Sequence, residues 1–345
     1  MTTPAIGAIR WDAWYSSVAG SPPTQNAIAL SDADLQPYAP VHFAQTNAYT
    51  LTAVDGTQAV IDNEITKAAA NGLSYWAYLM YGRNPGDPDY SGAPYMMNAW
   101  DLHQSSSIKN TMPWSAMMQL GMMGSTGNYT TQVNQMVAWF QQSNYFKVLT
   151  NRPLLYIWWG SAPADLATYW GNSLANVTPM ITALRAATVA AGLGTPYIVI
   201  LNDLDTSVKT TIGADAIGAY NPTVTVTPNM TWSAYETAVE AYWAAQLATT
   251  SKFIPSCSSG WTRTGVYRRP MSFYQSIRPW VGNLVTADRP TAANLKAHIA
   301  AVRSFIAAHP TPCDANTALL YAWDECDEGN GICPTIGNPS GMALV

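Results

Sequence analysis

Charge is what this sequence has least of. Only 11% of its 345 residues are Asp, Glu, Lys or Arg, under half of the roughly 25% usual in soluble proteins. The surface must then be wetted mainly by Ser, Thr, Asn, Gln, Tyr and backbone groups. Such a coat suits uncharged, hydroxyl-rich partners, and it suits extracellular or virion-borne proteins; a compositional habit of the source organism gives the same numbers. Basic residues number 16 against 21 acidic ones, a formal net charge of −5 with no Lys/Arg run. That balance argues against nucleic acid as a partner, which demands many phosphate-neutralising cations.

Other absences narrow the field further. No stretch approaches the roughly 18 apolar residues that span a bilayer, so no membrane partner is expected. Met1-Thr2-Thr3-Pro4-Ala5 lacks a basic segment followed by an apolar one, so no secretory signal is visible, although a mature chain would look the same. The four cysteines, Cys257, Cys313, Cys326 and Cys333, form no CxxC pair, which argues against structural zinc. A Cys313–Cys333 or Cys326–Cys333 bridge and buried free thiols both stay open. The four histidines, His42, His103, His298 and His309, show no metal-ligand spacing, and His298 and His309 are expected on the surface of a helix. Gly171-Asn172-Ser173-Leu174-Ala175 approximates a nucleophile elbow but lacks its last Gly and follows no strand. The lack of a phosphate-cradling Gly-rich loop argues against a nucleotide-dependent enzyme, and with no metal-ligand spacing neither a cofactor nor a metal is expected.

What the chain does have is apolar sequence in alternating packets. Hydrophobic residues make up 48%, enough for the core of one large domain over residues 1–345. Eight short runs read as strands: Ala5–Trp11, Leu73–Met80, Met112–Leu120, Pro153–Trp159, Pro196–Leu201, Ala214–Tyr220, Lys252–Cys257 and Thr317–Trp323. Helical periodicity falls between them at Thr57–Ala70, Gln132–Gln142, Met180–Ala191, Trp232–Ala248 and Ala292–Ala308. Runs such as Leu154-Leu155-Tyr156-Ile157-Trp158 are apolar throughout, as strands covered on both faces are. The α/β class with a single (β/α)8 TIM barrel and long βα loops fits best, a doubly wound sheet being the fallback. A ninth run, Val41–Gln45, is expected to lie outside the barrel.

In such a barrel the functional groups gather where strands end. Those positions hold Trp11 and Asp12, Tyr78 and Tyr81, Gln119, Trp158, Asn202, Asn221, Trp261 and Arg263, and Trp323 and Asp324. Aromatic rings stack on the C–H faces of sugars, while amides, carboxylates and Arg bond hydroxyls. These residues are the candidate glycan-binding set; many of the aromatics could equally be barrel filling.

The sharpest signal is Trp323-Asp324-Glu325-Cys326-Asp327-Glu328-Gly329. Four of the chain's 21 acidic residues fall here, directly after an apolar strand. Glu325 and Glu328, three apart, fall on one side of a turn. At an effective dielectric of about 20 and a separation of about 6 Å, two carboxylates repel by roughly 3 kcal/mol, or about two pKa units. One can then stay protonated as an acid while the other works as a base, the division glycoside cleavage needs. A solvated acidic loop and a calcium site are the bland alternatives, but the spacing is not that of an EF-hand.

These residues resemble the glycoside hydrolase family 99-like group, which includes endo-α-mannosidases and WbsX-like proteins. That group carries Trp-Asn-Glu-Trp-x-Glu-Gly after its last strand, similar to Trp323 through Gly329 here. Asn144-Tyr145-Phe146-Lys147-Val148 followed by Arg152-Pro153-Leu154-Leu155-Tyr156 is similar to its Tyr-x-Lys-Val-x-Gly-Arg-Pro segment. Ser259-Gly260-Trp261-Thr262-Arg263-Thr264 echoes its Gly-Trp-Asp-Asn-Thr-Pro-Arg loop. The resemblance implies an endo-acting, retaining glycosidase on an α-mannan-like or bacterial capsular or exopolysaccharide. Glu325 would remove the sugar 2-hydroxyl proton to form a 1,2-anhydro sugar, and Glu328 would be the general acid/base. Asp324 and Cys326 depart from the pattern, and Gln119-Leu120-Gly121-Met122-Met123 lacks the polar run of WbsX-like chains, so the substrate is not fixed. A non-catalytic glycan-binding or virion structural protein and a WbsX-like glycosyltransferase are the alternatives.

Overall fold

The computed structural model describes residues 2–11, 14–17, 22–81, 94–160, 162–262, 264–269 and 286–345. Eight parallel strands follow one another around a ring: β1 (Ala5–Arg10), β2 (Tyr75–Leu79), β3 (Trp114–Gln119), β4 (Arg152–Trp158), β5 (Tyr197–Leu201), β6 (Ala216–Gly218), β7 (Ser256–Ser258) and β8 (Thr317–Tyr321). The ladder runs unbroken from β7 through β8 and β1 to β6. Ala5 lies opposite Thr317 where the last strand returns to the first.

The remaining seam closes through a parallel bridge between Ile217 and Phe253, with the Ile254 N–H bonded to the Ile217 carbonyl at 2.9 Å. The seventh strand thus begins later than its apolar run suggests. Lys252 to Ile254 face β6, Pro255 has no N–H to continue the ladder, and Ser256–Ser258 turn to β8. This is a nearly closed TIM barrel.

All five expected helices form, as Gln58–Ala70, Thr130–Phe140, Thr178–Ala190, Trp232–Thr249 and Ala292–Ala308. Thr57, Thr231 and Thr291 cap three of them by accepting a backbone N–H of the first turn. The run around Val41–Gln45 supplies part of a small hairpin, Ala44–Asn47 against Thr50–Thr52, separate from the barrel sheet.

The barrel interior is filled by large polar-tipped rings that satisfy one another. The Tyr75 hydroxyl meets those of Tyr156 at 2.7 Å and Thr317 at 3.1 Å. Gly7 on β1 makes room, since a Cβ there would lie 2.1 Å from the Tyr75 ring. Between sheet and helices runs a second aromatic layer, in which Trp76, Tyr78, Trp100, Trp114, Trp139 and His103 meet mostly edge to face. Much of the aromatic content is therefore packing.

The Lys147–Val148 segment pairs antiparallel with Arg152 and Pro153 to lead the chain into β4. Arg152 bonds the carbonyls of Thr195 and Pro196 and the Asp215 carboxylate. This motif works at the N-terminal end of the strands, away from the mouth. It serves the fold.

Candidate active site

Past β8 the chain makes a tight hairpin in which Asp324 and Glu325 pair antiparallel with Gly331 and Asn330. A short 3-10 turn, Cys326–Glu328, and Gly329 at φ +76° close it. Only glycine adopts that conformation readily, and a Cβ there would also lie 2.6 Å from Thr262. The loop after β7 packs on this point, with the Thr262 N–H donating to the Glu328 carbonyl at 2.8 Å. Two loops that resemble the same family are thus pressed together.

The hairpin is anchored on its underside. The Trp323 N–H donates to Ile9 of β1 and its carbonyl accepts from Ile332 and Cys333. Its indole donates to Glu64 at 3.3 Å, and Glu64 in turn pairs with Arg10 at 2.7 Å. Arg10 is wholly buried and sits over the rings of Tyr15, Trp76 and Tyr78. Asp324 accepts from the Trp11 N–H at 3.0 Å, tying the hairpin to the end of β1.

Glu325 and Glu328 turn toward the barrel mouth. Tyr220, just past β6, donates to Glu325 at 2.8 Å, and Tyr321 at the end of β8 donates to Glu328. The carboxylates are 5% and 4% exposed. Burial pushes the Glu325 carboxyl well above the usual glutamate range, the nearby Glu328 and Asp327 charges add to this, and the Tyr220 bond works against it. Burial followed by the Glu325 charge likewise raises the Tyr220 phenol. Glu325 therefore keeps its proton to higher pH than an ordinary glutamate, beside a second carboxyl, which is the raw material of acid–base chemistry.

The other expected residues divide into groups. Trp11 donates its indole N–H to Tyr81 at 2.7 Å, Trp158 lies 5.6 Å from the Tyr220 ring, and Trp261 lies 6.1 Å from Tyr321. Gln119 pairs in register with Trp158 and so shares its inward face. Together they make an aromatic rim around the hairpin. Asn202 bonds Asp205 in the loop after β5, and Asn221 lies against Tyr235 of the following helix.

Tyr78 and Trp323 do not join the rim. Both face the helix layer: Tyr78, an odd number of residues along β2 from the inward Tyr75, is bonded to His103, and Trp323, beyond the end of β8, is bonded to Glu64. Asp12 and Arg263 lie outside the described residues. Sequence reasoning missed Tyr321, which reads as one more apolar strand residue; its two-residue spacing from Thr317 and Leu319 was the available signal.

Behind the hairpin a cavity of about 380 Å³ is lined by Tyr38, Ser259, Arg289, Gly329, Gly331 and Cys333 among others. The two glutamates do not line it. All four thiols are free and buried, and Cys326 and Cys333 lie 3.6 Å apart, sulfur to sulfur. His298 is fully buried rather than on the surface, because its helix face packs against Trp243 and Trp232. Among the described residues the one set of His, Cys, Asp or Glu donors spaced to share a metal ion includes this histidine; the acidic hairpin is not such a set.

A parallel barrel gathers its functional groups at the C-terminal ends of its strands, and here a buried pair of carboxyls stands just past the last of them. Comparison with solved structures agrees on the fold. The chain is similar to the GH99 endo-α-mannosidase of Bacteroides thetaiotaomicron, with a TM-score of 0.55 at 14% identity over 96% of this chain and 87% of that one. The same enzyme in complex with Bis-Tris propane gives 0.53 at 14% identity, over 96% and 86%. A glycoside hydrolase-like protein gives 0.60, again at 14% identity, over 97% of this chain and 88% of that one. By sequence, no protein-family model and no curated protein matches the chain. The structural match to GH99 and glycoside hydrolase-like proteins extends over nearly the whole chain, and at this identity it concerns the fold.

Proposed function

We propose that this chain is a glycoside hydrolase that cleaves a polysaccharide within its length, with Glu325 and Glu328 as the reacting carboxyls. One observation carries the reading: both side chains rise from one hairpin at the barrel mouth, each held by a tyrosine of the rim. The motif likeness to the family 99-like group supplies the roles. Glu325 in its ionised form takes the proton of the 2-hydroxyl, and that oxygen attacks its own anomeric carbon as Glu328 protonates the leaving oxygen. Glu328 then takes a proton from the water that attacks this carbon, while Glu325 returns its proton to the 2-oxygen as the C1–O2 bond breaks. Two inversions leave the anomeric configuration retained. An α-mannan or a bacterial capsular or exopolysaccharide is the proposed substrate class, gripped by Trp11, Tyr81, Trp158 and Trp261 with Gln119 beside them.

The test is a panel of such polysaccharides assayed for new reducing ends, with product anomers followed by NMR. Wild type should release oligosaccharides with retained configuration, and Glu325→Gln and Glu328→Gln should each lower turnover by orders of magnitude while keeping the fold. Near-wild-type turnover in either variant removes the assignment. The deep burial of both carboxyls favours one second reading, a barrel that binds glycan without cutting it. Saturable binding with no new reducing ends, unaffected by Glu328→Gln, would establish that instead.

A further inference from the structure

On the outer wall of the barrel, the helices Trp232–Thr249 and Ala292–Ala308 flank β7 and share a polar cluster. Glu236 and Glu240 are one turn apart on the first helix, where two carboxylates repel unless something positive lies between them. Facing them is His298 of the second helix. Its ring is fully buried, stacked on Trp243 at 5.3 Å and met edge-on by Trp232 at 5.9 Å. Neither ring nitrogen has a hydrogen-bond partner. A fully buried imidazole with both nitrogens unanswered is costly, and native structures rarely leave one so.

Its Nδ1 is aimed at the glutamates. It lies 3.8 Å from a Glu236 oxygen and 3.6 Å from a Glu240 oxygen, too far for hydrogen bonds. Two ligands on a tetrahedral ion with bonds of about 2.1 Å are separated by about 3.4 Å. One donor atom from each of the three residues lies within 4.8 Å of the others. The gap is the size of an ion.

We infer that Glu236, Glu240 and His298 form a site for a borderline divalent cation of the zinc type, distinct from the carboxyl pair at the mouth. One imidazole with two carboxylates suits Zn²⁺ or Co²⁺ better than Ca²⁺ or Mg²⁺, which prefer oxygen alone. The glutamate side chains are 21% and 39% exposed, so the ion can enter and water can complete its coordination. An ion there would clip the two helices together. The first helix already holds β7, through the Trp243 indole on the Ser256 carbonyl at 2.8 Å and the Tyr235 hydroxyl on Ser258 at 2.9 Å. The role is structural, a clamp on the barrel wall opposite no catalytic group of its own. Spacing along the chain could not reveal it, because the histidine comes from a different helix.

The experiment is calorimetric titration of chelator-treated full-length protein with zinc chloride, alongside thermal melts and the visible spectrum with cobalt. One Zn²⁺ per chain, a raised melting temperature and ligand-field bands from Co²⁺ are expected. Glu240→Gln, on the exposed side, should weaken binding by about tenfold or more, and His298→Gln should abolish it. If His298→Gln does not fold, the Glu236→Gln/Glu240→Gln double variant replaces it and should likewise bind no zinc. The inference is overturned by an absence of zinc binding, by binding that these variants leave unchanged, or by Mg²⁺ or Ca²⁺ competing on equal terms.

Discussion

Tyr220 and Tyr321 stand with their ring centres 5.2 Å apart, and each donates its hydroxyl to a different carboxyl, Tyr220 to Glu325 and Tyr321 to Glu328. They come from strands at different points of the ring, so the orientation of a short hairpin is set by the barrel itself. A rigid scaffold positions loop-borne reacting groups in this way.

Removing either donor should therefore cost turnover more than binding. A hydrogen bond to a charged group contributes about 1.5–3 kcal/mol, so Tyr220→Phe and Tyr321→Phe should each lower kcat by roughly ten- to a hundredfold. Steady-state kinetics on a cleaved polysaccharide checks this, with KM expected to move less. An unchanged kcat would mean that the rings only pack.

The raised pKa of Glu325 has a consequence for pH. A base must be ionised to act, so with Glu325 as base kcat/KM rises with pH through the Glu325 pKa; with Glu325 as acid it falls there. The roles proposed here require the rise. Stability runs the other way. A folded pKa above the unfolded one gives stability that is fully present below the unfolded value and is lost as pH rises through the folded value. Glu325→Gln should thus melt higher than wild type at alkaline pH, with the two converging below about pH 4.

Arg10 and Glu64 form a fully buried ion pair under the hairpin. Breaking such a pair from one side leaves an uncompensated charge, at a cost of about 3–5 kcal/mol. Glu64→Gln should lower unfolding stability by that order in urea titrations, and should disturb Trp323, whose indole it accepts. A loss under about 1 kcal/mol would show that the pair is not held in this form.

His103 is a further handle on acid stability. Burial, with Arg10 nearby, lowers its pKa from 6.5 to about 4. The unfolded chain then takes up the proton first. Stability from this group is complete above about pH 6.5, falls between there and about pH 4, and is constant below. A difference of that size corresponds to roughly 3 kcal/mol. Urea titrations at pH 7 and pH 4.5 should therefore show a smaller difference in His103→Gln than in wild type.

Much of the architecture was legible because a barrel strand is apolar on both faces, and runs such as Leu154 to Trp158 have no other simple reading. The same property hid the rim. When both faces are apolar, alternation no longer says which residue points inward, so Tyr78 and Trp323 looked equivalent to Tyr81 and Trp261. Glu325 and Glu328 stood out because charge is scarce, and an acidic cluster after an apolar strand has few structural uses. Tyr321, the Arg10–Glu64 pair and the setting of His298 depend on contacts between distant segments, and local pattern does not carry them.

Two buried carboxyls on one hairpin, close enough for each charge to act on the other, are the core of the proposed chemistry. The chain has only five glutamates, so selective 13C labelling allows each carboxyl to be titrated by NMR. Glu325 should titrate well above the ordinary glutamate range in wild type and move down in Glu328→Gln, where a neighbouring charge is lost. A Glu325 resonance that titrates like a free glutamate, and does not respond to Glu328→Gln, would contradict the account at its base.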